Sequence, residues 1–88
     1  MIVARNVIVG HGEIDLVVRF GRSVAAVEVK TIIPSVPSDD PLDHFTVAKA
    51  RQVSTLAGAL GPGVYRVDVV GVTVRPQGVD IRWLPYAA

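Results

Sequence analysis

The stretch GEIDLVVRFGRSVAAVEVKT, residues 12–31, decides the fold of this 88-residue chain. It contains two valine-rich runs, Glu13–Phe20 and Val24–Lys30, and branched side chains of this kind favour β-strands. Gly21-Arg22 between the runs suits a two-residue turn, because glycine readily adopts a positive φ angle. The stretch therefore predicts a β-hairpin.

The remainder of the chain predicts three more strands and one helix. The strands are expected at Ile2–Val9, Val64–Val74 and Val79–Leu84. The helix should begin after Thr46, which suits an N-cap, and end before Gly61-Pro62. Its buried face would consist of Val47, Ala50, Val53, Leu56, Ala57 and Leu60.

The resulting order β-β-β-α-β-β belongs to the α/β class. A helix crossover between the third and fourth strands normally leaves them parallel, and the other neighbours should pair as antiparallel hairpins. The prediction is a mixed sheet with one helix, so one sheet face would be short of cover. A proline-rich loop at 31–45 is unusually long, which is typical of a functional or mobile segment.

Composition limits the classes of protein to consider. Half of the residues are hydrophobic, and we expect one domain over residues 1–88. The net charge of +1 excludes a strong overall attraction for DNA or an anionic membrane, so DNA binding would need a local basic patch. The absence of cysteine and of a signal or membrane-spanning segment predicts a cytoplasmic protein without a membrane partner.

Charged residues alternate along the predicted hairpin. With Gly21-Arg22 in the turn, the numbers of paired residues sum to 43, so Asp15 lies opposite Glu28 and Glu13 opposite Lys30, all on one face. Two facing carboxylates repel each other unless a proton or a cation lies between them, and Mg²⁺ prefers carboxylate oxygens. Lys30 beside the metal could orient a water molecule or stabilise charge on a phosphate.

The alternative is a solvated sheet face with a surface ion pair between Glu13 and Lys30. Spacing alone favours this alternative over a metal site.

Two segments, Gly12-Glu13-Ile14-Asp15-Leu16 and Val27-Glu28-Val29-Lys30-Thr31, resemble the YraN family of predicted endonucleases. That family belongs to the PD-(D/E)XK nuclease superfamily, which includes Holliday-junction resolvases and restriction enzymes. The similarity extends over most of the chain, through Ala4-Arg5-Asn6, Asp40 to Lys49, Tyr65 to Val70 and Arg82 to Pro85. It implies a restriction-endonuclease-like sheet.

The resemblance also implies a function and a role for each residue that matches the motif. Asp15 and Glu28 would hold Mg²⁺ or Mn²⁺, Lys30 would position the attacking water, and Glu13 would be an accessory residue. The expected reaction is hydrolysis of a DNA phosphodiester, with branched or structured DNA as the substrate. The alternative is a catalytically degenerate module that binds DNA or a protein partner.

The sequence departs from the family in two respects. Members usually begin with a further helix that supplies another glutamate near the metal, whereas this sequence starts at the expected first strand. We therefore expect that it is a piece of a longer protein, that a second chain covers the open sheet face as in a homodimer, or that it is a degenerate relative. Ile32 follows Thr31 where the family commonly has arginine, and the loss of that charge weakens the case for tight phosphate binding near the metal.

Further polar residues could contact a DNA backbone, although solubility or a solvated helix face also explains them. These residues are Arg19, Arg22, Lys49, Arg51 and Gln52. Arg66 and Asp68 share one face of a strand and predict a structural ion pair. Trp83 and Tyr86 are expected to be packing residues or part of a dimer contact.

Overall fold

Five strands form one sheet in this computed structural model, which describes residues 1–10, 12–59 and 66–87. The strands are β1 (Ile2–Val9), β2 (Gly12–Phe20), β3 (Ser23–Ile32), β4 (Arg66–Arg75) and β5 (Gly78–Leu84). They lie side by side in chain order. β3 and β4 are parallel, and the other neighbours are antiparallel. The predicted mixed sheet is therefore confirmed.

Helix α1 (Val47–Ala59) provides the crossover between β3 and β4. Thr46 is its N-cap as predicted, since the Lys49 N–H donates to Thr46 Oγ1 at 3.1 Å. Val53 and Ala57 are buried and Leu56 packs beside them. The prediction that Val47 is buried is wrong, because Val47 is 70% exposed. At 100° per residue it lies about 120° around the helix from Val53, outside the face that meets the sheet.

The segment between β3 and α1 is more ordered than the predicted loop. β3 continues to Ile32, and Pro41–His44 forms a short 3₁₀ helix. Asp40 caps that helix by accepting a hydrogen bond from the Leu42 N–H at 2.9 Å. A proline is compatible with the first turn of a helix, where its missing N–H has no partner to lose. The prediction of an irregular loop over 31–45 is therefore only partly right.

Close packing seats the 3₁₀ helix on the sheet. A Cβ atom at Gly71 would lie only 2.7 Å from Pro41 Cγ, so a larger residue in β4 would displace the 3₁₀ helix. Glycine at this position therefore allows the 3₁₀ helix before α1 to pack closely against β4 and β3.

The turn of the predicted hairpin forms as expected. Gly21 has a φ of 59°, and the pairs run from Phe20↔Ser23 to Leu16↔Val27, each summing to 43. The predicted register is confirmed over these five pairs. The predicted helix end at Gly61-Pro62 and the predicted strand start at Val64 lie outside the described residues.

The backbone of β1 departs from regular strand geometry at Asn6, opposite Asp15, although the register of the pairing does not shift there. Asn6 and Asp15 lie between the pairs Arg5↔Leu16 and Val7↔Ile14, and Asn6 has a φ of 51°, in the left-handed region. Ile14 and Val17 both belong to the core, although strict alternation would place residues three apart on opposite faces. The strand thus switches faces around Asp15, and the strict alternation assumed for it is wrong.

The two faces of the sheet differ in cover. On the helix side the buried core consists of Ile14, Val17, Ala26, Val53, Ala57 and Val67. On the opposite side an apolar depression is lined by Ile2, Leu16, Val18, Phe20, Val27, Val70 and Trp83. Trp83 is 54% exposed and Ile2 46%, so the described elements leave this face open as predicted. That a second copy covers it stays a prediction.

Within the described ranges, no helix has the length and apolar character needed to cross a bilayer.

Candidate metal-binding and catalytic site

A cavity of about 460 Å³ lies where the hairpin meets the start of α1. Its walls are formed by Asp15, Glu28, Val29, Lys30, Phe45, Thr46 and Lys49. Two acids from adjacent strands, one lysine from a strand and one from the helix therefore border the same space.

Asp15 reaches this cavity because β2 is irregular around it. The regular ladder with β3 is described as far as Leu16↔Val27, and beyond it the Val29 N–H donates to Asp15 Oδ2 at 2.8 Å. The carboxylate thus takes the position that a backbone carbonyl holds in a regular ladder. This bond ties Asp15 to β3, one residue beyond Glu28.

Glu28 lies on β3 on the helix side and is mostly buried, with 15% of its side chain exposed. Burial and the negative charge of Asp15 raise the pKa of the Glu28 carboxyl above its ordinary value. The positive charges of Lys49 and Lys30 oppose this shift only in part. Burial and Asp15 therefore destabilise the ionised form of Glu28 more than the two lysines stabilise it.

The two lysines approach the acids from different elements. Lys49, in the first turn of α1, places its Nζ 3.3 Å from Glu28 Oε1. Lys30 follows Glu28 by two residues on β3, so its side chain points to the same side of the sheet and lines the same cavity. The cavity thus combines negative charge for a cation with positive charge for an anion.

The residues present fit a partial site for a hard divalent cation. In the described part of the chain, Asp15 accepts its hydrogen bond at Oδ2 and Glu28 pairs with Lys49 at Oε1, which leaves the second oxygen of each acid for a cation. Mg²⁺ typically takes one or two carboxylates and completes its shell with water and substrate phosphate oxygens. Within the described residues, no group of three or more His, Cys, Asp or Glu could hold a metal ion. The described residues would therefore contribute two carboxylates to such a site.

Comparison with known proteins assigns the chain to a family. The model of the family described as uncharacterised protein family UPF0102 matches residues 1–72. The chain belongs to UPF0102. This is the YraN family, a PD-(D/E)XK-like nuclease family, so the resemblance inferred from the motif is confirmed.

Relatives in UPF0102 are similar over most of the chain. A UPF0102 protein of Thermotoga neapolitana is 37% identical over 86 aligned positions, covering 90% of this chain and 74% of the relative. One of Thermotoga maritima is 38% identical, covering 90% and 73%. One of Chlorobium chlorochromatii is 40% identical over 79 positions, covering 84% of this chain and 60% of the relative. No solved structure gave a significant match.

The structure brings Asp15, Glu28 and Lys30 together at one cavity, as the sequence predicts. Glu13 is different: it is exposed, pairs with Ile8 of β1 and is not among the residues that line the cavity. The described pairs between β2 and β3 end at Leu16↔Val27, so the predicted pairing of Glu13 with Lys30 stays a prediction.

Of the residues expected to contact DNA, Lys49 lies at the cavity. Arg19 and Arg22 are exposed near the tip of the hairpin, and Arg51 and Gln52 are exposed on α1, and none of these four lines the cavity. A DNA-binding role for them stays a prediction.

Sequence reasoning missed the contact between Lys49 and Glu28. The two residues are separated by the whole loop and the 3₁₀ helix, so no spacing rule connects them. Only the N-cap at Thr46 located the start of the helix, and it did not indicate where that start lies relative to β3.

A second charged cluster lies on the open face of the sheet. Asp68 is fully buried and accepts hydrogen bonds from Arg66 at 3.0 Å, Trp83 Nε1 at 2.9 Å and the Tyr86 N–H at 3.0 Å. Arg66 lies 4.7 Å from the ring centre of Phe20 and 4.6 Å from that of Tyr86. The predicted structural ion pair between Arg66 and Asp68 is confirmed.

Proposed function

We propose that this protein is a metal-dependent endonuclease that hydrolyses DNA phosphodiester bonds, with branched or structured DNA as the substrate class. The observation that supports the proposal is the cavity that Asp15 and Glu28 line together with two lysines, Lys30 and Lys49. Membership of UPF0102 supports the nuclease-like fold on which the proposal depends.

Asp15 and Glu28 would hold Mg²⁺ or Mn²⁺. When bound, the ion supplies a Lewis acid that neutralises phosphate charge and lowers the pKa of a water molecule. The Val29 N–H keeps Asp15 aimed at the cavity, so the carboxylate does not have to be ordered when substrate arrives.

Lys30 would act on the water and the phosphate. Its ammonium orients the attacking water towards phosphorus and stabilises the negative charge that develops on the phosphate oxygens. The water oxygen forms a new bond to phosphorus while the bond to the leaving sugar oxygen breaks. The water gives up one proton to solvent and the leaving oxygen takes one up, which leaves a phosphate on one end and a hydroxyl on the other.

The alternative is a nuclease-fold module that binds DNA or a protein without cutting. One observation favours it: two carboxylates are a sparse ligand set, since the described residues offer no third acidic or histidine ligand. The same experiment tests both proposals.

The test incubates the protein with supercoiled plasmid and with a four-way DNA junction, in Mg²⁺, Mn²⁺ or a chelator. Asp15→Asn and Lys30→Met should each lower the rate of metal-dependent cutting by at least about 100-fold. Asp80→Asn is the matched control, because Asp80 of β5 forms a surface pair with Arg75 of β4 away from the cavity.

Each outcome assigns one reading. Cutting that needs metal, Asp15 and Lys30 but not Asp80 supports the endonuclease. Binding of the junction without cutting supports the module. Cutting that survives in Asp15→Asn would overturn the assigned site.

A further inference from the structure

Lys49 occupies an unusual position for a lysine. It is the third residue of α1, and a positive charge in the first turn of a helix opposes the helix dipole. The first turn of α1 contains no acidic residue that would balance it. The position of Lys49 is therefore not explained by the stability of α1.

The contact with Glu28 explains where the Lys49 side chain lies. Its Nζ is 3.3 Å from Glu28 Oε1, inside the cavity that Asp15 also borders. A cation shared by Asp15 and Glu28 would meet this ammonium at the same carboxylate. The lysine and a metal ion thus compete for Glu28, by charge repulsion and by occupation of one oxygen.

The Lys49 side chain can move when that competition is lost. It is 39% exposed, whereas Glu28 is 15% exposed, so the lysine lies at the rim of the cavity and the acid at its floor. Its four-carbon stem is flexible, and an ammonium at the rim is well placed for a phosphate oxygen that enters from solvent.

We propose that Lys49 is a resident counter-ion of Glu28 that a divalent cation displaces, and that the displaced ammonium then pairs with a phosphate of the bound strand. The proposal rests on the endonuclease function above, and it adds a second role for the helix. Lys49 lowers the affinity for metal in the absence of substrate and raises the affinity for DNA once metal is bound.

The first test measures binding of Mn²⁺ alone by calorimetry at one pH and one ionic strength. Lys49→Met should bind Mn²⁺ about 3- to 10-fold more tightly than the wild type, because one repelling charge and one competitor are removed. Lys49→Arg retains the charge and should stay close to the wild type. Arg51→Met is the matched control, since it removes one charge from the same helix away from the cavity.

If Lys49 had only a structural role, Lys49→Met would loosen the site and lower the affinity for Mn²⁺, which is the opposite of the change expected here. Unchanged or weaker Mn²⁺ binding by Lys49→Met therefore overturns the proposal. If the wild type and Asp15→Asn bind Mn²⁺ alike, the metal site itself is wrong and the endonuclease proposal fails with it.

The second test measures the contribution of Lys49 to DNA binding in the Lys30→Met variant, which is not expected to cut DNA. Lys30→Met is compared with Lys30→Met/Lys49→Met for binding to a fluorescent four-way junction. In chelator the two should bind alike, because Lys49 is held by Glu28. In saturating Mn²⁺ the double variant should bind about 5-fold more weakly and show a smaller salt dependence, by about one phosphate contact. An equal difference with and without Mn²⁺ would overturn the displacement.

Discussion

Asp68 and Asp15 are acidic residues of the same sheet, but their surroundings differ. Asp68, on the open face, is fully buried and is satisfied by three donors, among them the guanidinium of Arg66. Asp15, on the helix side, accepts one backbone hydrogen bond and lies near Glu28, whose pKa is raised by burial and then by the charge of Asp15. The charge of Asp68 is balanced by its donors, whereas Asp15 and Glu28 could still bind a cation.

These surroundings distinguish an acid with a structural role from an acid with a functional role. A buried charge that is paired and hydrogen-bonded at every side is held for the fold, and removing it leaves its partners uncompensated. Neighbouring acids that repel each other reduce stability, and such an arrangement is typical of a functional site. The free energies of unfolding of variants on both faces of the sheet test this distinction.

The largest expected effect is on the open face. Asp68→Ala should lower the free energy of unfolding by about 3–5 kcal/mol, because it leaves the guanidinium of Arg66 and two N–H donors without their partner. Asp15→Asn should change it by less than about 1 kcal/mol, because the amide oxygen can still accept the Val29 N–H. Urea denaturation in chelator measures both values.

Equal losses of stability in these two variants would contradict the comparison, since Asp15 would then be as structural as Asp68. Circular dichroism before denaturation provides the control that each variant starts from a folded state.

An intermediate effect is expected at Trp83, which donates its Nε1–H to Asp68 and stacks on Phe20 with ring centres 5.9 Å apart. Trp83→Phe retains an aromatic ring but removes the donor, so it should cost about 1.5–3 kcal/mol, the range for a hydrogen bond to a charged group. Urea denaturation with the same protocol measures it.

Phe20→Leu is the matched control for this variant. It removes the ring over Arg66 and leaves every hydrogen bond to Asp68, so it should cost about 0.5–1 kcal/mol. A larger loss in Phe20→Leu than in Trp83→Phe would show that ring contacts, rather than donors to Asp68, stabilise the cluster.

The smallest expected effect concerns the pH dependence of stability at Glu28. Its pKa in the folded protein is raised above the ordinary value of 4.5, mainly by burial and then by Asp15. Between these two pKa values the folded state holds more protons than the unfolded chain, so stability falls as the pH rises through this window. Glu28→Gln lacks this loss and should be more stable than the wild type at pH 7 by less than about 1 kcal/mol.

Urea denaturation across pH in chelator measures this difference, which should vanish below the ordinary pKa of 4.5. Lower stability of Glu28→Gln at pH 7 would mean that Lys49 more than compensates the acid, and the helix side would then resemble the open face.

Local patterns in the sequence predicted much of the fold. The Gly21-Arg22 turn determined the register of β2 with β3, and the N-cap at Thr46 located the start of α1. The motif also predicted that Asp15, Glu28 and Lys30 lie together. Each of these predictions depends on residues that are close in sequence or joined by one tight turn.

Other features could not be predicted, because they depend on contacts between distant segments. The irregularity at Asn6 and Asp15 requires β1 and β2 to be paired, and strict alternation gave the wrong arrangement there. Two of the three donors to Asp68 come from β5 and from the chain after β5, which no periodicity relates to β4.

By itself the sequence determined the hairpin, the order of the elements and which residues carry acidic and basic groups, because strand, turn and helix preferences act over a few neighbouring residues. Only the tertiary structure decided which charges from distant segments meet and how they are satisfied. It placed Lys49 against Glu28 and brought Trp83 and the Tyr86 N–H to Asp68, because these contacts depend on distance in space and on burial, and neither is encoded by spacing along the chain.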